Sequence, residues 1–299
     1  MRFFYNAAPA FAVGFMLLAG ASNAQSLASG FMTGKGHGSV VVSATSERYD
    51  SEYLGTQKVD NVPLFNRIQL NSLSLYASYG LSDRVDVALV LPYIRATGEA
   101  DIATFGSRGI GPATNVRQGL QDISGLIKFK ALSRELAGGI LDVLGAVTAS
   151  TPVGDYKSDK SPAYILAIGN RVTKMSALGI AHFKTASGVF ATGQAGYSLR
   201  SGAVPNAFIS EAKLGYAGRH LYVDAFANFQ VSDATGTDIN APDFNYDFTA
   251  TRVNFTRVGL SAFRSIAKGV GATVGASRYV AGRNVGRSTA FSLGLAYSF

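Results

Sequence analysis

Hydrophobic and polar residues alternate along the C-terminal end of the chain. Between Ser288 and Phe299, apolar side chains occupy one parity and small or polar side chains occupy the other. The apolar set is Phe291, Leu293, Leu295, Tyr297 and Phe299. Because successive side chains of a β-strand point to opposite faces, this run predicts a strand with one apolar face. Such a strand suits a soluble sheet, and it equally suits the closing strand of an outer-membrane barrel.

The same two-residue period recurs through the chain and predicts about twelve strands. The predicted strands are 37–54, 64–80, 84–97, 119–131, 138–151, 162–173, 187–200, 206–218, 219–232, 250–266, 269–282 and 287–299. An even number places both termini at one end, as a single-chain barrel requires, and ten or fourteen strands are the alternatives. Two segments fit less well: 174–187 is long for a turn, and 203–206 is short for a loop.

The apolar parity changes once inside the second predicted strand. Ile68 and Leu70 share one face, whereas Leu73 and Leu75 fall on the other. A β-bulge near Asn71 and Ser72 would restore the register, because one extra residue shifts all later side chains to the opposite face.

The predicted connectors alternate between short and long. Short turns are expected at 81–83, 133–135, 217–219 and 266–268, and long polar connectors at 55–63, 98–118, 152–162, 233–248 and 282–287. Outer-membrane barrels have short periplasmic turns and longer extracellular loops. The pattern therefore predicts an all-β fold, a transmembrane antiparallel up-and-down β-barrel of about twelve strands.

The first residues are typical of a secretory signal peptide. Arg2 precedes an apolar stretch that ends near Leu18, and small residues at Ser22 and Ala24 form a cleavage site before Gln25. The alternative is a buried N-terminal helix. We expect a signal peptide at 1–24, a barrel at 25–299 and a location in the bacterial outer membrane, because no later stretch reaches the roughly 20 apolar residues of a membrane helix.

Composition excludes several kinds of chemistry. The chain has 0 cysteines, which excludes thiol catalysis and cysteine-ligated metals. Its histidines, His37, His182 and His220, are far apart in the sequence, so no metal and no cofactor is expected. The net charge of +8 comes from scattered basic residues without a recognition motif, so we expect no nucleic-acid partner.

Charged residues on one parity of the predicted strands indicate a polar lumen. A lysine or arginine facing lipid at mid-bilayer costs roughly 2–4 kcal/mol, so these side chains are expected to face inward. The candidate lumen-lining residues are Arg84, Asp86, Asp122, Lys128, Lys130, Asp142, Arg171, Arg200, Glu211, Lys213 and Asp224. Twelve strands lie between filled barrels and wide porins, so a narrow pore and a lumen plugged by side chains are both open.

Three segments resemble one family more specifically. Residues 79–93 are YGLSDRVDVALVLPY, residues 119–130 are GLQDISGLIKFK, and residues 151–156 are TPVGDY. They resemble the outer-membrane family labelled as the MetA pathway of phenol degradation, with Ser82, Gln121 and Val153 as departures from its pattern. The resemblance implies a barrel for uptake or export of small, often aromatic or hydrophobic molecules.

For such solutes, aromatic residues of the long connectors are candidates for a lid or entry site. They are Phe105, Phe244, Tyr246 and Phe248. The alternative is that these rings lie at the membrane interface or pack the loops together.

These features predict an outer-membrane channel or transporter for passive passage of small molecules. The expected partners are outer-membrane lipid, a small solute and the barrel-assembly machinery, which would recognise Phe299. A structural or adhesive barrel with a plugged lumen is the main alternative. An outer-membrane lipid hydrolase is a weaker one, because no Gly-x-Ser-x-Gly motif accompanies His182 or His220. We therefore expect no enzyme activity.

Overall fold

The computed structural model describes residues 28–62, 65–99, 116–158, 165–242, 244–245 and 247–299. Strands dominate this part of the chain. In chain order they are β1 (Gly38–Tyr49), β2 (Glu52–Leu54), β3 (Gln57–Val59), β4 (Arg67–Ser82), β5 (Val85–Glu99), β6 (Val116–Leu120), β7 (Asp122–Leu136), β8 (Gly139–Pro152), β9 (Lys174–Thr185), β10 (Val189–Arg200), β11 (Ala207–Ala217), β12 (Leu221–Ser232), β13 (Asn254–Ala267), β14 (Val270–Arg283), β15 (Val285–Gly286) and β16 (Thr289–Ser298). Among the described residues, no helix is long and apolar enough to cross a membrane.

The strands close into an antiparallel barrel of 12 wall strands. Strands β6 and β7 are two parts of one wall strand, and β2, β3 and β15 form a separate small sheet. The barrel closes where β1 pairs with β16 on one side and with β4 on the other, so that Val42 lies opposite both Leu295 and Leu75. Closure leaves no unpaired sheet edge, which is the condition for a β-structure to span lipid. The predicted fold class is confirmed.

The two faces of the wall differ as the alternation predicts. On the outward face of β16, Phe291 is 65% exposed and Leu295 is 62% exposed. On the inward face of the neighbouring β1, Ser39 and Ser43 are buried. The outer surface is therefore an apolar band, whereas polar side chains form much of the lumen surface.

The connectors are sorted between the two ends of the barrel, as predicted. The short connectors at one end, which we call the turn end, are 83–84, 137–138, 186–188, 218–220 and 268–269. The opposite end, the loop end, holds the connectors 50–66, 153–173, 201–206, 233–253 and 284–288. The predicted loop at 98–118 lies largely outside the described residues.

One predicted strand is wrong. Residues 165–173, the described part of the predicted strand 162–173, do not form a wall strand, and the sixth wall strand is β9, in the segment that fitted a turn poorly. Leu166 and Ile168 supplied the apolar pattern, but the structure buries both of them in an apolar cluster at the loop end. The strand total is unaffected, because β9 replaces the predicted strand.

The predicted β-bulge is also wrong. The pairing of β4 with β5 is continuous from Arg67 to Gly80, and the irregularity lies between Gly80 and Ser82. Ile68 falls on the parity opposite to Leu73 because its side chain points into the lumen, where it is 0% exposed within the same apolar cluster. The apolar residue marks a contact inside the barrel rather than a shift of register.

Candidate channel lumen

The wall strands bring most of the predicted lumen residues to the inward face. Each of them alternates with outward-facing apolar neighbours, which fixes the direction of the side chain. The inward-facing members of the predicted set are Asp86, Asp122, Lys128, Lys130, Asp142, Arg200, Glu211, Lys213 and Asp224.

Two of the predicted residues lie elsewhere. Arg84 is exposed in the turn between β4 and β5, where its backbone N–H donates to Ser82 Oγ at 3.2 Å. Arg171 lies in the connector before β9 with a φ of 57° and forms an ion pair with Asp155 at 3.1 Å. Arg84 continues the inward parity of β5, but it precedes the first residue of that strand, and Arg171 lies in a connector rather than in a strand.

The buried charges are paired across the lumen surface. Lys128 Nζ lies 3.3 Å from Asp86 Oδ2, and these residues are direct partners in the β5–β7 register. Lys174 Nζ lies 3.2 Å from Asp122 Oδ2 on the other side of β8. Lys213 Nζ lies 3.0 Å from Glu211 Oε1. Pairing is required here, since an unpaired buried charge costs several kcal/mol.

A second polar group lies on the strands near the barrel closure. Arg257 of β13 is 2% exposed, and its Nη2 lies 2.7 Å from Ser277 Oγ and 3.8 Å from Glu47 Oε2. Ser288 Oγ also donates to Glu47. The sequence-based set of candidates omitted Glu47 and Arg257, although the inward parity of β1 and β13 contains both.

The lumen also has an apolar side. Leu126, Leu144 and Leu178 point inward from β7, β8 and β9, and each is at most 7% exposed. Ala146 and Ile180 extend the same surface. The lumen wall is therefore amphipathic, because these apolar side chains lie on the same strands, β7 to β9, as the charged residues Asp122, Lys128 and Lys174.

The turn end of the lumen is occupied by residues 28–33, which we call the N-terminal segment. Lys128 Nζ donates to the carbonyl oxygen of Ser29 at 3.1 Å and to that of Phe31. Thr33 donates to Asp86 Oδ2 through its backbone N–H at 2.9 Å and through Oγ1 at 3.1 Å. The Lys128–Asp86 ion pair thus binds the segment with both of its charges.

Phe31 anchors the same segment in an aromatic pocket. Its ring centroid lies 4.3 Å from that of His182, 5.0 Å from Phe190 and 6.2 Å from Tyr222. Gly30 fits against the His182 ring so closely that a Cβ there would lie 2.3 Å from Nδ1. A glycine is therefore needed at this position for the segment to lie in the lumen.

Different residues cover part of the loop end. We call the buried set Val62, Phe65, Ile68, Ile94, Ala96, Tyr156, Leu166 and Ile168 the loop-end cluster. It joins inward-facing residues of β4 and β5 to two connectors that fold over the lumen. Its polar link to the wall is Tyr156, whose hydroxyl donates to Asp122 and accepts from the backbone N–H of Arg171 at 3.0 Å.

The structure describes two of the four candidate loop aromatics. Phe105 and Tyr246 lie outside the described residues. The rings of Phe244 and Phe248 contact each other edge to face, with centroids 5.0 Å apart. Their observed role is to pack the connector between β12 and β13, and their role toward a solute stays a prediction.

The C-terminal residue lies at the turn end. The backbone N–H of Phe299 donates to Gly38 O at 3.0 Å, and the Gly38 N–H donates to Phe299 O at 3.0 Å. The side chain is 54% exposed and stacks on Tyr297, with ring centroids 6.0 Å apart.

Comparison with known proteins places this geometry in a class. No family model and no curated protein matches the chain. Among solved structures, it is similar to the COG4313 outer membrane channel from Pseudomonas putida F1, with a TM-score of 0.68 and 16% identity over 89% of this chain and 96% of that chain. More distant likenesses include the KdgM porin in complex with disordered oligogalacturonate, with a TM-score of 0.45 and 7% identity over 87% and 99%. The translocator domain of the autotransporter NalP from Neisseria meningitidis has a TM-score of 0.43 and 14% identity over 88% of each chain.

The class defined by the fold is the twelve-stranded β-barrel of outer-membrane type. The structural likeness at 16% identity concerns the fold. The finer resemblance to the family labelled as the MetA pathway of phenol degradation stays a prediction, because no family model matches the chain.

Proposed function

We propose that this protein is an outer-membrane channel for the passive passage of small molecules, and that the N-terminal segment closes it. The main support is the way this segment is bound. Side chains of the wall hold it, through Lys128 and Asp86, while the wall completes its own strand pairing between β1 and β16. The segment can therefore leave the lumen without opening the barrel.

The amphipathic lumen supports the class of solute. Leu126, Leu144 and Leu178 offer an apolar surface opposite the paired charges of β11 to β14. A small molecule with an aromatic or hydrophobic part and a polar part matches such a surface, since binding sites combine an apolar lining with a few placed polar groups. The similar structure from Pseudomonas putida F1 is described as an outer membrane channel, which agrees with this proposal.

The proposal places the loop end outside the cell and the turn end in the periplasm, with residues 1–24 removed as a signal peptide. Short turns are periplasmic in barrels of this class. Phe299 would then face the assembly machinery from the periplasm. Deletion of Phe299 is expected to lower the yield of inserted barrel and to leave the conductance of the barrels that do insert unchanged.

We propose no enzyme activity. Of the candidate bases, His182 has its Nδ1 paired with Thr192 Oγ1 at 2.7 Å and lies beneath Phe31. His220 is exposed in the turn between β11 and β12. His182 has Asp142 as its cross-strand partner, but the hydroxyl it contacts belongs to Thr192 and not to a serine.

The test is conductance of the refolded protein in planar bilayers, for the mature chain and for a chain that starts at Gly34. We expect low or intermittent conductance from the first and steady conductance from the second, reduced by small aromatic solutes. Silence from both, with correctly folded barrels, would refute the channel and favour the structural barrel, because the lumen would then be blocked by the wall side chains themselves.

A further inference from the structure

Three arginines break the apolar pattern on the outer face of the wall. Arg48 of β1, Arg95 of β5 and Arg278 of β14 have outward parity, and all three are exposed. Each lies in the loop-end half of its strand. Arg95, for example, comes two residues after the outward-facing Tyr93.

The strand register places these arginines on one side of the barrel. Arg278 and Arg48 are both cross-strand partners of Thr289 in β16. They are therefore two inter-strand steps apart, which is about 10 Å. Arg95 is the partner of Asn71, and Asn71 is in turn the partner of Ser46 in β1.

The surface between the arginines is polar and uncompensated. Gln69 Nε2 donates to Ser46 Oγ at 2.8 Å and to Asn71 Oδ1 at 3.2 Å, so hydrogen-bonding groups continue across β1 and β4. Arg67 in the same region has a carboxylate partner, Glu99, at 3.3 Å. Among the described residues, the side chains of Arg48, Arg95 and Arg278 have no such partner. We call these three arginines with Ser46, Gln69, Asn71 and Thr289 the outer basic patch.

The opposite wall shows that the patch is local. In the described strands β9 to β12, the outward positions hold no charged residue. Exposed residues at the loop end there include Leu199, Phe208 and Val231. A general adaptation to the membrane surface would distribute the arginines around the barrel, and they are instead confined to the five consecutive wall strands from β14 to β5.

We propose that the outer basic patch binds the phosphorylated headgroup of an outer-leaflet glycolipid of the lipid A type. A guanidinium group binds phosphate oxygens through two parallel hydrogen bonds, and the amide and hydroxyl groups of the patch add neutral donors. An outward arginine is tolerated near the interface, where its cost falls to about 0–1 kcal/mol. The inference rests on the proposed outer-membrane location, with the loop end facing out.

The test compares lipid binding by folded variants in detergent micelles, with native mass spectrometry as the readout. The patch variant carries Arg48→Gln, Arg95→Gln and Arg278→Gln. The matched control carries Arg134→Gln, Arg219→Gln and Arg264→Gln, which remove three exposed arginines at the turn end. Heat-modifiable gel mobility confirms that each barrel is folded, and single substitutions replace the patch variant if it does not fold.

We expect the wild type and the control to retain phosphorylated lipid A, and the patch variant to lose roughly tenfold or more in affinity, the equivalent of one charge-assisted hydrogen bond. Dephosphorylated lipid A is expected to bind the wild type as weakly as the patch variant binds the phosphorylated form. Equal retention by patch variant and control would overturn the inference, as would equal binding of phosphatidylglycerol. Lipid binding is measured without conductance. A barrel that binds lipid A but conducts no ions would therefore refute the proposed channel and leave the lipid-binding proposal intact.

Discussion

The contacts at the two ends of the lumen differ in kind. At the turn end, the N-terminal segment is bound by a buried ion pair, and Lys128 and Asp86 supply four hydrogen bonds to it. At the loop end, the closure is an apolar cluster in which Ile68 and Leu166 are 0% exposed. The turn-end contacts combine a few directional hydrogen bonds with the packing of Phe31, whereas the loop-end contacts are non-directional and distributed over many side chains.

This difference indicates which end can open by itself. Directional contacts to one short segment are lost together when one partner leaves, whereas an apolar cluster loses its stabilisation in small steps. We therefore expect the turn end to open when the N-terminal segment leaves, and the loop-end cluster to keep its structure. Asp122 links the loop-end cluster to the wall, because it contacts Tyr156 of the cluster and Lys174 of the wall.

The largest expected effect is at Lys128. Lys128→Met removes the donor to Ser29 and Phe31 and leaves Asp86 buried without its cation, a change that costs about 3–5 kcal/mol for a buried pair. We expect residues 28–33 to lose hydrogen-exchange protection while the wall strands keep theirs. Lys130→Met is the control, because Lys130 lies 3.8 Å from Asp142 and is 24% exposed.

A double variant sharpens this prediction. Asp86→Asn combined with Lys128→Met removes both buried charges, so the penalty of an unpaired carboxylate disappears. The melting temperature of the barrel should therefore recover in part, whereas protection of the N-terminal segment should stay low, since Thr33 also loses its charged acceptor. Wild-type protection of the segment in the double variant would contradict the assignment of the ion pair as its main anchor.

A smaller effect is expected at the loop end. Leu166→Ala leaves a cavity in the loop-end cluster and should cost about 2–5 kcal/mol of local stability. Limited proteolysis of the connector between β8 and β9 should become faster. Protection of residues 28–33 should not change, and a parallel loss there would show that the two closures are coupled more strongly than their contacts indicate.

The link between the loop-end cluster and the wall is testable on its own. Tyr156→Phe removes the hydroxyl that donates to Asp122, a hydrogen bond to a charged group worth about 1.5–3 kcal/mol. Asp122 keeps its ion pair with Lys174, so the wall should remain stable. Faster proteolysis at the loop end without a change in barrel melting is the expected result; a lower melting temperature would contradict it.

The smallest effect concerns pH. Burial raises the pKa of Glu52, in the small sheet outside the wall, to about 7, above the usual value near 4.5. Because the folded state then binds the proton more tightly than the unfolded state, the stability of this sheet falls as the pH rises from about 4.5 to 7. Glu52→Gln should remove this dependence from the hydrogen exchange of residues 52–59. An unchanged pH profile in the variant would refute the assignment to Glu52.

Much of the wall could be predicted from the sequence, because strand alternation is local. The inward parity identified Asp86 and Lys128, although not what they bind. The N-terminal segment could not be found this way, since its contact with Lys128 spans about a hundred residues and Ser29 to Thr33 show no periodic pattern. Residues 162–173 were mistaken for a strand because a connector packed inside a barrel is as apolar as a strand facing lipid.

The central claim is that the N-terminal segment closes a channel, and one pair of glycine variants tests it most directly. Gly30→Val would place its side chain against the His182 ring, whereas Gly193→Val in β10 has nothing within 4 Å of its Cβ. In planar bilayers we expect Gly30→Val to raise the single-channel conductance several-fold and Gly193→Val to leave it at the wild-type level. Equal conductance in the two variants would contradict the account.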